Sequence, residues 1–245
     1  MEFENKVALI TGASVGIGRA TALLLAEEGA RLVLLDLDYE RLCSVKEELA
    51  KHTEDVLIYA CDVSDEARVH EVVADAISHF GRVDILVNNA AIWRVFSDFV
   101  ETPTSVWKKL LDVNVMGTVY VTQAVLPSMI ENHYGRIVNV SSVAGVYGNK
   151  RMTPYSATKG AVIAFTQALA KEVIEDGIVV NTVSPGTVTP SENRDVYFTE
   201  PSTLSHSGRT GSNRENAELI CFLASDRAPY VAGQNIQIDG CRSKI

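Results

Sequence analysis

The segment Val7-Ala8-Leu9-Ile10-Thr11-Gly12-Ala13-Ser14-Val15-Gly16-Ile17-Gly18 joins an apolar strand pattern to the start of a helix. Its three glycines let the backbone turn sharply and approach a pyrophosphate, whose charge then faces amide groups at the helix N-terminus. Their spacing, G-x-x-x-G-x-G, meets the commoner fingerprint G-x-G-x-x-G only in part. Because the turn lies in the first strand-turn-helix unit, it favours a dinucleotide site, with a purely structural turn as the alternative.

The rest of the chain repeats this alternation of strand and helix patterns. Short β-branched or Leu-rich runs predict strands at residues 7–10, 31–35, 56–60, 85–87, 136–140, 179–183 and 235–238. Longer amphipathic runs predict helices at residues 18–28, 40–51, 66–80, 106–131, 155–175 and 213–224. This order predicts an α/β fold, a Rossmann-type doubly wound parallel sheet of about seven strands with helices on both faces. No Pro/Gly/Ser-rich linker interrupts the chain, so we expect a single domain over residues 1–245.

Asp36 ends the second predicted strand, eighteen residues after Gly18. An acidic side chain there can accept hydrogen bonds from an adenosine ribose and would repel a 2′-phosphate. Neither Val15 nor Leu37 supplies a cation to offset that repulsion, so the sequence predicts NAD rather than NADP as the cofactor. The alternative is that Asp36 or Asp38 only caps the following helix.

A serine, a tyrosine and a lysine form the candidate catalytic group. Tyr155 and Lys159 are four residues apart in a predicted helix, which places both side chains on one face. An unperturbed tyrosine has a pKa of about 10, and we expect the neighbouring Lys159 ammonium to lower the pKa of Tyr155. Tyr155 would then shuttle a proton, while the Ser142 hydroxyl would fix the same substrate oxygen. Taken alone, a Tyr-x-x-x-Lys pair also occurs by chance.

Composition and charge exclude several classes of function. The net charge is −9 and the Lys and Arg residues are scattered, so neither a nucleic acid nor an anionic membrane is an expected partner. We expect no uncharged apolar stretch of membrane-spanning length, and the acidic, strand-like N-terminus argues against a signal peptide. Four cysteines without a CxxC pair predict reduced thiols and a cytoplasmic location. The five histidines lie far apart, so no metal site is predicted.

The chain resembles the short-chain dehydrogenases/reductases over nearly its whole length. The motifs that carry the resemblance occur in order, as Thr11-Gly12-x-x-x-Gly16-Ile17-Gly18, Asp62-Val63, Asn88-Asn89-Ala90, Asn114, Ser142, Tyr155-x-x-x-Lys159, Asn181 and Pro185-Gly186. The resemblance implies hydride transfer between a nicotinamide cofactor and a secondary alcohol or ketone. It also implies a small-molecule substrate and a homo-oligomer, either a tetramer or a dimer. Ala91 departs from the family pattern, which usually has glycine there.

The resemblance further implies a role for each motif. Tyr155 would be the acid/base and Ser142 would orient the reacting oxygen. Lys159 would lower the tyrosine pKa and hold the nicotinamide ribose, and Asn114 would complete a tetrad by relaying protons through water to Lys159. The implied cofactor-binding residues are Gly12, Ser14, Val15, Gly16, Ile17, Gly18, Asp36, Asp62, Val63, Asn89, Ala90, Tyr155, Lys159, Pro185, Gly186, Val188 and Thr189. The segment between Gly186 and Thr189 is one residue shorter than the family pattern.

Substrate contacts are expected from the loops that follow the strands. These loops mix apolar and polar side chains, and the candidate substrate-binding residues are Trp93, Ser142, Val143, Tyr147 and Tyr155. Residues 189–207 are rich in Ser, Thr, Asn and acidic side chains, which predicts a mobile lid over the cofactor. A disordered surface loop is the alternative for this segment.

Together these features predict an NAD-dependent oxidoreductase that interconverts a secondary alcohol and a ketone. One alternative is a 3-oxoacyl-carrier-protein reductase-like ketoreductase, which would dock an acidic carrier on basic residues. The helix end that would receive the carrier holds Glu172, Glu175 and Asp176, whose charge would repel it. An alternative from a different class is a non-catalytic NAD-binding regulatory protein that kept the fold.

Overall fold

A computed structural model describes residues 1–189 and 195–243 as a parallel sheet between two helical layers. The strands are β1 (Val7–Thr11), β2 (Arg31–Asp36), β3 (Val56–Ala60), β4 (Ile85–Asn88), β5 (Gly135–Val140), β6 (Ile178–Pro185) and β7 (Asn235–Ile238). They pair in parallel in the order β3-β2-β1-β4-β5-β6-β7. The prediction of a Rossmann-type doubly wound sheet is therefore confirmed, and each predicted strand is present.

Helices connect the strands and cover both faces of the sheet. They are α1 (Gly16–Glu27), α2 (Tyr39–Leu49), α3 (Glu66–Phe80), α4 (Thr104–Leu111), α5 (Gly117–Glu131), α6 (Val143–Tyr147), α7 (Thr153–Val173) and α8 (Asn213–Ala224). Short 3₁₀ turns occur at Phe99–Glu101 and Ile174–Asp176. The five-residue α6 was not predicted, because one turn and a half is too short to show a helical period.

The strands are apolar because both faces of the sheet are buried. Every residue of β1 is buried, and alternate side chains contact opposite layers. Ala8 and Ile10 belong to the core that includes residues of α1, α2 and α8, whereas Val7 and Leu9 belong to the core that includes residues of α3, α5 and α7. The sheet is thereby fixed from both sides, and its carboxyl edge is a rigid base for the loops that follow.

The predicted helix at residues 106–131 differs from the structure in two ways. It is divided into α4 and α5 by a π-helical turn at Asp112–Met116, which buries Asn114. The segment Thr104–Glu131 has 28 residues and a window of mean hydropathy 1.2, so by length and composition it could cross a membrane. The expectation that no stretch reaches this length is therefore wrong. In the fold, 44% of that window is buried, and the segment packs against α3, α7, β4 and β5 as a core helix does.

The order of the strands places a crevice between β1 and β4. The chain leaves β1 toward β2 and β3 on one side, and from β4 it continues toward β5, β6 and β7 on the other. Such a switch point opens a crevice at the carboxyl ends of the strands, where ligands of this type of fold bind.

Candidate active site

A cleft of about 1030 Å³ lies at this switch point. Its lining includes most of the residues selected from the sequence, namely Gly12, Ser14, Val15, Gly16, Ile17, Asp36, Asp62, Val63, Asn89, Ala90, Trp93, Ser142, Tyr155, Lys159, Pro185, Gly186, Val188 and Thr189. The selected residues outside this lining are Gly18, Asn114, Val143 and Tyr147. Within residues 1–189 and 195–243, no group of three or more His, Cys, Asp or Glu side chains is placed to hold a metal ion.

Asn89 fastens the glycine turn to the end of β4. Its Nδ2 donates to the carbonyl oxygens of Thr11 (3.0 Å) and Gly12 (2.9 Å). The amides of Asn89 and Ala90 both donate to Thr11 Oγ1 at 3.0 Å. A Cβ on Gly18 would lie 2.2 Å from Gly12 O and 2.6 Å from Asn89 Nδ2, so α1 can approach the turn only without a side chain there. The turn therefore brings bare backbone to a helix N-terminus, which fits the pyrophosphate of a dinucleotide.

Asp36 forms the cleft wall at the end of β2. Its Oδ2 accepts a hydrogen bond from the Ser14 amide and its Oδ1 accepts one from the Asp38 amide, both at 3.0 Å. Helix α2 is capped by Asp38, whose Oδ1 accepts from the Arg41 amide at 3.0 Å. The capping alternative thus applies to Asp38, and Asp36 stays on the cleft wall.

Sequence reasoning missed one cation near Asp36. Arg41 lines the cleft, and its Nε lies 3.1 Å from Asp38 Oδ2. The i,i+3 spacing of Asp38, which precedes the predicted helix at residues 40–51, and Arg41 in that helix was the available signal, since such pairs face each other.

Asp62 and Val63 follow β3 and line the adjacent part of the cleft. Asp62 Oδ1 accepts hydrogen bonds from the Ser64 amide (2.9 Å) and the Ser64 hydroxyl (2.6 Å), which fixes this turn. A Cβ on Gly117 would lie 2.6 Å from Val63 Cγ2. Gly117 therefore lets α5 pack closely behind Val63.

Ser142 and Tyr155 meet from two different elements. Ser142 precedes α6, where its Oγ accepts from the Ala144 amide at 3.1 Å and so caps the helix. Tyr155 lies in the first turn of α7, and its phenol is close enough to the Ser142 side chain for the serine to lower the pKa of the phenol. Burial raises the pKa of Tyr155 to about 12, and the Ser142 side chain opposes this rise.

Lys159 lies one turn after Tyr155 on α7 and is almost fully buried. Its Nζ donates to the Val140 carbonyl at 2.7 Å and lies 5.8 Å from the centroid of the Tyr155 ring. Burial lowers the pKa of the ammonium to about 8. The expectation that Lys159 lowers the pKa of Tyr155 is wrong for this structure, because desolvation of the phenolate dominates and the ammonium is directed at Val140.

Asn114 holds the loop after β4 in place. Its Oδ1 accepts from the Ile92 amide (2.8 Å), and its Nδ2 donates to Ile92 O (2.9 Å) and to Thr158 Oγ1 (3.1 Å). Thr118 Oγ1 donates to the Asn114 carbonyl at 3.2 Å. Because protein groups occupy both ends of this amide, its direct role is to position Ile92 on the cleft wall. The implied relay to Lys159 stays a prediction.

The segment after β6 forms the opposite wall. The Gly186 amide donates to Ile238 O at 2.9 Å, and a Cβ on Gly186 would lie 2.7 Å from Asp239 Cβ. Val188 forms a bridge with Gly211. Thr189 is buried, and its hydroxyl donates to the Phe198 carbonyl at 2.7 Å. The structure thus directs the Thr189 hydroxyl toward the predicted lid, whereas the resemblance assigned it to the cofactor.

The predicted lid at residues 189–207 is described except at residues 190–194, which lie outside the described part of the chain. Glu200 and Leu204 contribute to the cleft lining. The amide of Thr210 donates to the Glu200 carbonyl at 2.9 Å, and Pro201 and Arg209 form an antiparallel bridge. These bonds pair the described part of the lid with the residues that follow it, beside the cleft.

Two of the predicted substrate contacts require correction. Val143 is only 2% exposed and packs in the interior, because it is the first residue of α6 after the Ser142 cap. Tyr147 is exposed outside the cleft, and its hydroxyl is bonded to Gln237. Trp93 does line the cleft and has the Arg94 guanidinium 5.0 Å from the centroid of one of its rings. The lining also includes Asn149, a polar residue of the loops from which substrate contacts were expected, and three side chains that sequence reasoning did not select, Phe96, Met152 and Leu204.

Comparison with known proteins agrees with this geometry. The protein-family model for short chain dehydrogenases matches residues 6–200. The 3-oxoacyl-[acyl-carrier-protein] reductase FabG of Thermotoga maritima is 43% identical over 243 residues, which cover 98% of each chain. The BbsD subunit of the (2S)-[(R)-hydroxy(phenyl)methyl]succinyl-CoA dehydrogenase of Thauera aromatica is 39% identical over 99% of this chain and 98% of its own. The crystal structure of an NAD⁺-bound xylitol dehydrogenase superposes with a TM-score of 0.91 at 34% identity, covering 98% of this chain and all of that one.

The chain belongs to the short chain dehydrogenase family. It is an NAD(P)-dependent oxidoreductase that acts on CH–OH groups, as the fold, the cleft and these relatives together show. The predictions of the family and of the enzyme class are confirmed.

Proposed function

We propose that this enzyme uses NAD to oxidise a small secondary alcohol, such as a diol, a sugar or a steroid hydroxyl group, to its ketone. The observation that carries the proposal is the meeting of Ser142, Tyr155 and Lys159 on the lining of a cleft that also includes Asp36. Asp36 has no basic neighbour in the glycine turn, which supports NAD over NADP.

The residues of the chain fit a nicotinamide cofactor, which when bound supplies the hydride acceptor. The glycine turn and the α1 N-terminus would hold its pyrophosphate, and Asp36 would accept from the ribose hydroxyls. During alcohol oxidation Ser142 would orient the substrate oxygen, and the phenolate form of Tyr155 would take the hydroxyl proton of the substrate and become the phenol. During ketone reduction Tyr155 returns that proton. The pKa of about 12 keeps the phenol protonated at neutral pH, so in this state Tyr155 is ready to act as the acid.

The polar and apolar side chains of the cleft support a small, partly apolar substrate. Trp93, Phe96, Met152 and Leu204 supply apolar contacts, and Asn149 supplies a hydrogen-bonding group. Lys159 completes the catalytic group by holding α7 to the end of β5 through the Val140 carbonyl. A water-linked proton relay through Asn114 is part of the proposal.

We infer one domain over residues 1–245 with a lid at residues 189–207, and a cytoplasmic homotetramer or homodimer without nucleic-acid or membrane partners. Leu111 and Ile130 are 41% and 38% exposed on the α4–α5 segment, and apolar side chains exposed on one segment support a subunit interface there.

A ketoreductase acting on 3-oxoacyl thioesters is the second candidate, and the 43% identity to the Thermotoga maritima reductase favours it. The exposed Glu172 and Glu175 oppose docking of an acidic carrier on the end of α7. Reduction of acetoacetyl-CoA by NADPH, faster than oxidation of every alcohol tested with NAD, would establish this candidate in place of the first.

The direct test measures NADH formation across secondary alcohols, diols, sugars and hydroxysteroids, with NADP in parallel. Tyr155→Phe should reduce turnover by at least a thousandfold while leaving the NAD dissociation constant nearly unchanged, because only the hydroxyl group that exchanges the proton is removed (roughly the scale of a general acid/base). Tyr147→Phe is the matched control, since that phenol lies outside the cleft. Comparable turnover in wild type and Tyr155→Phe would refute the mechanism. If no compound in the panel were oxidised although NAD binds, the result would favour the alternative of a non-catalytic NAD-binding regulatory protein.

A further inference from the structure

We propose that Arg242 is a substrate-positioning residue that holds Asn149 in the wall of the cleft and couples it to the lid. The inference rests on the proposed alcohol site. Two segments carry it, a substrate loop at residues 148–152 between α6 and α7, and a C-terminal strap at residues 239–243 after β7. Asn149 of the loop and Leu204 of the lid both line the cleft.

The substrate loop is fixed to the catalytic helix by its backbone. The Asn149 amide donates to Ser156 Oγ at 3.1 Å, and Ser156 follows Tyr155 in the first turn of α7. The Met152 amide donates to the Asn149 carbonyl at 3.1 Å, which closes the loop. The backbone of Asn149 is therefore held against the start of α7, and this leaves its side-chain amide to be oriented by other contacts.

Arg242 holds the side chain of Asn149 through a hydrogen bond. Its Nη2 donates to Asn149 Oδ1 at 2.7 Å, a charge-assisted hydrogen bond of short length. Asn149 Nδ2 lies 3.8 Å from Met152 Sδ, a weak contact. The Arg242 bond therefore sets the orientation of the Asn149 amide, and with it the polar group that the cleft presents to a substrate.

The strap is bonded to the lid along its backbone. The amides of His206 and Ser207 donate to the carbonyls of Cys241 (2.8 Å) and Gly240 (3.0 Å). The Ser243 amide donates to the Leu204 carbonyl at 3.0 Å. These bonds make the strap and the lid a short antiparallel pair. Arg242, which holds Asn149, is therefore the neighbour of Ser243, whose amide holds the backbone of Leu204.

The bend of the strap depends on Gly240. Gly240 has a φ of +62°, and a Cβ there would lie 2.4 Å from Ser207 Oγ. A side chain at this position would therefore strain the backbone and push the strap away from the lid. This bend allows Arg242 of the strap, which is paired with the lid, to contact the substrate loop.

A substrate that enters the cleft meets Asn149 from the loop and Leu204 from the lid, and Arg242 connects the two. Loss of the Arg242 side chain should detach the strap and the lid paired with it from the substrate loop, so that both walls gain freedom, without touching Tyr155 or the cofactor half of the cleft. We therefore expect weaker substrate binding with a nearly intact chemical step, which is a change in KM rather than in kcat.

The test compares Arg242→Gln, Arg242→Lys, Asn149→Ala and the double variant Arg242→Gln/Asn149→Ala. The matched control is Arg227→Gln, because Arg227 is ion-paired with Glu2 and is not part of the cleft lining. Kinetic constants are measured with the alcohol that gives the highest kcat/KM in the substrate panel. Amide hydrogen exchange of residues 148–152 and 203–208 is measured by mass spectrometry without any substrate.

Arg242→Gln should raise KM for the alcohol about tenfold with kcat changed less than about threefold, and Arg242→Lys should restore most of the loss. The double variant should raise KM by about the same tenfold as either single variant, because both remove one interaction. Exchange should accelerate about fivefold in both segments and stay unchanged in α8. The NAD dissociation constant and the melting temperature should match those of Arg227→Gln.

The proposal would be overturned if the increase in KM of the double variant equalled the product of the increases in the two single variants. Unchanged amide exchange at residues 148–152 in Arg242→Gln would overturn it as well. A fall in kcat and in melting temperature together would show a purely structural role and overturn it as well. Hydrogen exchange needs no turnover, so a silent substrate panel with accelerated exchange in both segments would refute the proposed function while leaving the coupling of loop and lid established.

Discussion

Lys159 and Tyr155 share one face of α7, yet the Lys159 ammonium lies 5.8 Å from the centroid of the Tyr155 ring and donates to the Val140 carbonyl. Burial raises the pKa of the phenol to about 12 and lowers the pKa of the ammonium to about 8. The two groups are thus both shifted toward their neutral forms. This arrangement favours proton donation by Tyr155 at neutral pH and limits its action as a base.

The first prediction concerns the pH dependence of the two reaction directions. In the proposed mechanism alcohol oxidation needs the Tyr155 phenolate, and the phenolate fraction rises with pH as long as the pH is below the pKa of about 12. We expect kcat/KM for oxidation to increase between pH 7 and pH 10, by up to about tenfold per unit if no other group limits the rate. Ketone reduction uses the protonated phenol and should stay flat or fall. Initial rates in both directions across this range test the prediction, and an oxidation rate that falls with pH would contradict it.

The second prediction concerns stability. The folded state lowers the pKa of Lys159 from 10.5 to about 8, so between these values the unfolded chain binds more protons and stability rises with pH. Relative to Lys159→Met, the wild-type protein should gain about 3 kcal/mol in the free energy of unfolding between pH 7 and pH 10.5, since one unit corresponds to about 1.4 kcal/mol. Urea unfolding at both pH values measures the difference. If the difference in the free energy of unfolding between wild type and Lys159→Met were the same at both pH values, burial would not lower the pKa of Lys159.

The third prediction concerns the choice of cofactor. Asp36→Ala removes the carboxylate that would repel a 2′-phosphate, and the cation of Arg41 lines the same part of the cleft. We expect the ratio of kcat/KM for NAD to kcat/KM for NADP to fall about tenfold or more, which corresponds to about 1.4 kcal/mol. The additional substitution Arg41→Ala should reverse much of the gain in kcat/KM with NADP, because it removes the cation. Steady-state kinetics with both cofactors measure the ratio. If the ratio is the same in Asp36→Ala and wild type, Asp36 does not select the cofactor.

The fourth prediction concerns the glycine turn. A methyl group on Gly18 would lie 2.2 Å from Gly12 O, so Gly18→Ala must displace either the turn or the start of α1. We expect NAD to bind at least about tenfold more weakly, because the amides that would hold its pyrophosphate move. Gly160→Ala is the control, since its Cβ would meet only Gly145 O at 3.4 Å. Titration calorimetry with NAD compares the two variants, and equal affinities would exclude the turn as the binding element.

The fold was predictable because its signals are local. Apolar strands such as β1 are buried on both faces, and this produces runs of consecutive apolar residues that a single sequence displays. The turn at Gly12 and Gly18 was predictable for the same reason, since a close backbone approach requires glycine at fixed positions. Chain order then placed the cleft through the rule for switch points.

The substrate wall was less predictable because its members come from separate loops. Val143 and Tyr147 follow Ser142 closely, but one is drawn into the core and the other is directed outward by the short helix α6. Asn149 and Leu204 are far apart in sequence, and their shared lining depends on tertiary contacts. The pKa of Tyr155 was also mispredicted, because the helical spacing shows the nearby charge but not the extent of desolvation.

Asp36 reaches the cleft from β2, whereas Ser142 and Tyr155 reach it from β5 and α7, on the other side of the β1–β4 switch point. In the proposed mechanism, recognition of the adenosine end and the proton chemistry therefore reside in separate halves of one sheet. We therefore expect substitutions in one half to leave the chemistry of the other half nearly unchanged. A variant of this enzyme could therefore change its nicotinamide cofactor through substitutions near Asp36, while the residues around Ser142 and Tyr155 stay the same.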